Sequence, residues 1–183
     1  MYRVLYLVLV LLPACGIAPN NPSEVPVLPT QPEPVSTPVV EPVVDSVVTN
    51  PTNASGVPVA DVVSVAVTGD AGNYTFAVTL SSADTGCEQY ADWWEVVDIT
   101  TGKLVYRRIL AHSHTSEQPF TRSGGPVNID LGQPVVIRGH MGGLQSNYGG
   151  QVLGGSVDTG FQPVSDSTQS LETVEPLPTG CAF

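Results

Sequence analysis

Basic residues are scarce in this chain: Lys and Arg number 6 against 17 Asp and Glu, a formal charge of -11 over 183 residues. An acidic surface repels a polyanion, which excludes nucleic acid as a partner held through phosphate contacts. Runs of Lys, Glu, Ala and Leu that would favour helices are lacking, whereas Gly, Pro and Val are abundant, so strands and turns are expected. No apolar run reaches the length of about 18 residues that a membrane-spanning helix needs. Signatures of catalysis are missing too. No serine sits in a strand-to-helix elbow, and Ser113 between two histidines matches no triad. The glycine-rich stretch after Met141 opens no helix and is therefore no phosphate loop. Acid pairs such as Asp92 and Glu95 would need a cleft that a small domain hardly supplies. The chain is not expected to be an enzyme.

What is present begins with Arg3 and an apolar run from Val4 to Leu12, too short for a bilayer core of roughly 30 Å but suited to a secretory signal over residues 1–14. Leu12-Pro13-Ala14-Cys15-Gly16 resembles the lipobox of bacterial lipoproteins, with Pro13 a departure from the usual small or hydroxylated residue. The resemblance implies lipid on Cys15, which becomes the new N-terminus held in the membrane. Gly16 after the cysteine implies sorting to the outer membrane of the bacterial cell envelope, facing the periplasm or the exterior. An ordinary signal peptide with a chance cysteine is the plainer alternative. If Cys15 is lipidated, Cys87 and Cys181 remain as an even pair in an oxidising compartment and should be bridged. A loop of that length would be worth up to about 4 to 5 kcal/mol in the chain-entropy model. Residues 15–58 carry a proline every few positions and no base, so neither helix nor sheet propagates; they read as a disordered, semi-rigid linker.

Residues 59–183 suit one β-sandwich domain with a C-terminal tail. Tyr74, Phe76, Val78 and Leu80 alternate with Thr75, Ala77 and Thr79, and Val63, Val65 and Val67 alternate with Ser64, Ala66 and Thr68. Further strands are expected at about 91–99, 103–110, 127–131, 134–141 and 151–157. Gly124-Gly125-Pro126 is read as a break before the fifth. About seven such strands, with tryptophan on the third, suit an immunoglobulin- or fibronectin-type sandwich; a jelly roll or small barrel is the alternative. Period two sends Trp93 and Trp94 to opposite faces, with Trp94 favoured inward beside Val96. Alternating strands gather the loops after the second, fourth and sixth at one pole, which should hold His112, His114, His140 and Cys87.

His112 and His114, two residues apart on an extended segment, offer two imidazoles to one side, and His140 supplies a candidate third ligand for copper or zinc. Histidines bonded to loop backbone are the bland alternative. Arg107, Arg108, Arg122 and Arg138 suit either an anion clamp or ion pairs with Glu88, Asp92, Glu95 and Asp98 on the neighbouring strand. Glu88, Glu117, Arg138 and Tyr148 are candidate contacts for a protein or glycan ligand at the pole. The runs CEQYADWWEV, YRRILAHSHTSEQPFTRSGGPV, VIRGHM and YGGQ resemble a domain that recurs in exported bacterial proteins, a resemblance that carries no activity. The function these readings favour is a cell-envelope lipoprotein that binds a ligand from a stalk; a metal-binding envelope protein is the alternative.

Overall fold

The computed structural model describes residues 50–182. The expected signal segment, Cys15 and the linker as far as residue 49 lie outside the described residues. Within them the chain forms eight strands: β1 (Ala60–Thr68), β2 (Tyr74–Ser82), β3 (Gln89–Asp98), β4 (Leu104–Ile109), β5 (Phe120–Val127), β6 (Val135–Gly143), β7 (Val152–Ser156) and β8 (Gly160–Val164). They make two antiparallel sheets, β1-β2-β5 and β4-β3-β6-β7-β8, and no helix occurs among the described residues. This is the all-β sandwich that the alternation predicts. Residues 50–58 turn back on themselves, with Asn53 Oδ1 accepting from the Ser55 and Val57 amides and the Val59 amide donating to the Pro51 carbonyl.

β2 follows its sequence pattern, and Tyr74, Phe76, Val78 and Leu80 are all buried. β1 does not keep one phase. Val62 pairs with Leu80 and Ser64 with Thr79, so Val63 is the extra residue of a bulge and is exposed. The bulge lets Val62 and, beyond it, Val65 and Val67 face the core, where simple alternation would force a choice. Opposite them pack Trp94, Val96, Val135, Ile137 and Met141 from the large sheet. Trp94 is fully buried there, while Trp93 has the other face.

Two expectations are corrected. The fifth strand runs from Phe120 to Val127 and not over 127–131, so Gly124-Gly125-Pro126 lies inside it. β5 is an edge strand, where proline's missing N–H need not cost a ladder bond. A Cβ on Gly124 would lie 2.6 Å from the Tyr106 hydroxyl and 3.0 Å from Trp94 Cζ2; that glycine makes room for the tryptophan rather than ending a strand. The strands number eight, not about seven, because Gly160 begins another instead of a tail. β8 pairs with β7 and brings Phe161 to 5.8 Å from Phe76, ring centre to ring centre. The true tail starts after Val164 and ends at a Cys87–Cys181 disulfide, the bridge that cysteine parity predicts.

Candidate functional site

The outer face of the large sheet holds a buried polar layer. Register places Glu95 opposite Arg107 on β4 and Arg138 on β6, and all three side chains point away from Trp94. Glu95 takes Arg107 on one carboxylate oxygen and Arg138, at 2.8 Å, on the other, with none of the three measurably open to water. The tail completes the layer. Carbonyls of Leu171, Val174 and Pro176 accept from Arg107, while Asp166, Thr168 and the Gln169 carbonyl accept from Arg138. Burial alone would push the Asp166 carboxyl up, but hydrogen bonds from Thr168 and Arg138 outweigh it and hold it below its ordinary value. These ion pairs are the cross-strand use of the arginines that the acidic third strand suggests.

Beside this layer a second bulge sets Asp92 against His140. Ala91 pairs with Met141 and Trp93 with His140, leaving Asp92 as the extra residue. Its Oδ1 lies 2.6 Å from His140 Nδ1, and Glu172 of the tail lies 3.0 Å from Nε2. The imidazole stacks flat on Trp93 at 3.7 Å, with Tyr148 edge-on at 4.7 Å. Arg107 lies over the Trp93 ring and Arg138 over Tyr148. Burial pushes the Asp92 carboxyl up, against the pull of His140, whereas the His140 hydrogen bond holds Glu172 low. Burial and then the Glu95 charge push the Tyr148 phenol up. Every charged side chain here is bonded to another part of the chain, with only the buried Trp93 N–H left without a partner, which makes the layer a fastening for the tail.

The loops at one end differ. The 83–88 loop meets both neighbours: Asp84 Oδ2 accepts from the His114 amide at 2.7 Å, and the Leu144 amide donates to the Glu88 carbonyl. The Ala182 amide donates to the Ala111 carbonyl, joining the tail to the same end. Asp84 also accepts from Ser82 and from the Ala91 amide, which fixes the loop in place. His114 is 3% exposed and stacks on Phe120 at 3.7 Å, with His112 at 4.5 Å. Neither of its ring nitrogens has a hydrogen-bond partner. Burial, then Arg122 and His112, push its pKa down, so the ring is kept neutral and retains one N–H donor. An unmet buried donor costs about 1 to 3 kcal/mol, a cost that the Trp93 and Trp94 N–H groups share; the nearest carboxylate to the His114 ring, Asp84 Oδ2, is 3.8 Å from Nδ1. A cleft of about 110 Å³ opens onto His114, lined also by His112, Arg108 and Arg122.

The predicted site residues therefore divide. His112 and His114 come together; His140 does not join them, because it lies on β6 with both ring nitrogens bonded to carboxylates. The three-histidine metal set is corrected accordingly: among the described residues no three His, Cys, Asp or Glu side chains are placed to hold one metal ion. Arg138 as a ligand contact is also corrected, since it is buried and its guanidinium is fully engaged. Tyr148 is half-buried against Arg138. Glu88 and Glu117 remain exposed, the latter paired with Arg122 at 2.8 Å. Sequence reading missed Asp84, Asp166 and Glu172, whose contacts with the His114 amide, Arg138 and His140 span 28 to 32 residues. No local spacing signals them.

The fold and this end of it define a class, an all-β sandwich domain with a loop-built pole and a tail bound across one sheet. Over 79 residues the chain is 43% identical to a "Putative lipoprotein" of Halomicrobium mukohataei. The match covers 43% of this chain and 37% of the relative, so the chain spans little more than a third of that protein's length. No protein-family model matches the chain. No solved structure matches it.

Proposed function

We propose that this chain is a lipid-anchored protein of the cell envelope whose sandwich is a binding module held away from the membrane by a proline-rich linker. The likeness to a protein described as a lipoprotein carries the anchor, and Leu12-Pro13-Ala14-Cys15 is where the lipid would attach. Outer-membrane placement, facing the periplasm or the exterior, follows the reading of Gly16. The strand order supports an immunoglobulin- or fibronectin-type sandwich: first, second and fifth strands in one sheet, third, fourth, sixth and seventh in the other, to which β8 is added beside β7. Binding is assigned to the pole because the opposite candidate, the polar face of the large sheet, is already covered by the tail. Membrane fractionation tests the anchor. The wild-type chain should partition with detergent and Cys15→Ala with the aqueous phase; equal partitioning of the two would refute lipidation there.

A further inference from the structure

The sandwich has an open edge where β4, the last strand of the large sheet, passes β5, the last strand of the small one. Arg108 is in register with Trp94, and Arg122 with Val78, so both arginines sit on the parity that faces between the sheets. At this edge they meet no core and open into the cleft instead. The loop joining the two strands places His112 and the buried His114 over the same space. Two of the molecule's 6 basic side chains and two of its 3 histidines thus converge, on a chain with 17 acids.

Resting on the reading of the pole as a binding surface, we infer that this cleft is an oxyanion site, taking a phosphate or sulfate group through Arg108, Arg122 and His112, with His114 packed behind them. His112, exposed in the cleft, offers its ring to the ligand, while His114, its ring nitrogens sealed from solvent and Nδ1 3.8 Å from the Asp84 carboxylate, backs it at 4.5 Å. Arg108 is exposed, and no carboxylate pairs with it among the described residues. Arg122 spends donors on Glu117 and on the Thr121 carbonyl, yet a guanidinium has five, and Nε is left over. Two guanidiniums beside paired imidazoles oppose a metal cation and suit an anion, since charge-assisted and forked donors match oxyanion geometry. His112 also borders a second hollow of about 260 Å³ toward Gly86, Ser113 and Thr115. That hollow has room for the remainder of a larger ligand, such as a sugar bearing the group.

The test is an NMR titration of the full chain in detergent, following the histidine ring ¹⁵N signals with inorganic phosphate, sulfate, glucose 1-phosphate, chloride or zinc. Phosphate or sulfate should shift His112 and His114 saturably and leave His140 unmoved. Arg108→Gln should weaken binding about tenfold, and Glu117→Gln, by freeing Arg122, should tighten it several-fold. Tighter binding of glucose 1-phosphate would identify the oxyanion as the end of a larger ligand; equal binding would identify the free ion. A linear response, or one that chloride matches, would overturn the site, and so would saturation by zinc alone. Detergent partitioning of Cys15→Ala is read separately. A phosphate null with partitioning intact removes this site and keeps the anchored module, whereas phosphate binding with partitioning lost does the reverse.

Discussion

At the scale of single residues, Glu95 is the acid on which the outer face depends. It answers two buried guanidiniums, and removing one member of such a group leaves charge stranded without water. Glu95→Ala should therefore cost about 3 to 5 kcal/mol, read from urea unfolding at neutral pH. Gly124→Ala presses a methyl group into Tyr106 and Trp94 and should cost about 1 to 3 kcal/mol, with a change in the tryptophan near-ultraviolet signal. The pairing of arginines with third-strand acids was legible in the sequence, because opposite charges sat on strands that a short turn brings together. Which acid served was not, since the bulge at Asp92 changes the facing of its neighbours on β3 in a way no period-two count reveals. The split between Arg107 and Arg108, one sealed under the tail and the other open at the edge, is likewise set by register.

At the scale of elements, alternation located six of the strands to within a few residues and failed at β5 and β8. Both failures come from glycine and proline, which end a strand in isolation but serve one at an edge or a hairpin. The tail is the element with the least pattern and the most consequence. It gives carbonyl oxygens to Arg107, a carboxylate to Arg138 and another to His140, and its end is tied by a bridge joining residues 94 apart in sequence. Reduction of that bridge, or Cys181→Ser, should lower stability by up to about 4 kcal/mol and shift the urea midpoint without changing the strand content seen by circular dichroism. The same treatment should expose Trp93 and move its fluorescence to longer wavelength, an effect absent if the tail stays bound through its polar contacts alone.

At the scale of the whole molecule, acid should act in two stages. His114 has its pKa depressed, so the unfolded chain takes a proton more readily, and stability falls as pH drops below the free-histidine value of about 6.5. Asp166 and Glu172 are also held low; the stability they contribute is complete above the unfolded carboxylate value of about 4 and lost as pH falls through their folded values. Asp92, pushed up by burial, works in the opposite sense and softens the second stage. Urea midpoints taken through this range should show both declines, and His114→Phe should erase the first. The sandwich class was legible from composition and spacing; the location of the pole was legible from topology. Which side chains meet there was only partly so, because Arg122 takes its register from Val78 on β2, far earlier in the chain, and His140 is held away by carboxylates that topology alone does not place.

Arg107 and Arg138 share Glu95 within the sheet itself, but the oxygens that seal them from the other side come from residues 166–176, later in the chain than every strand. A polypeptide emerging N-terminus first would present Arg107 and Arg138 to water on an uncovered sheet until residues 166–176 had followed them. Sealing of that face therefore waits until all eight strands have been made, and a chain truncated before residue 166 would leave both arginines uncovered and open to proteases.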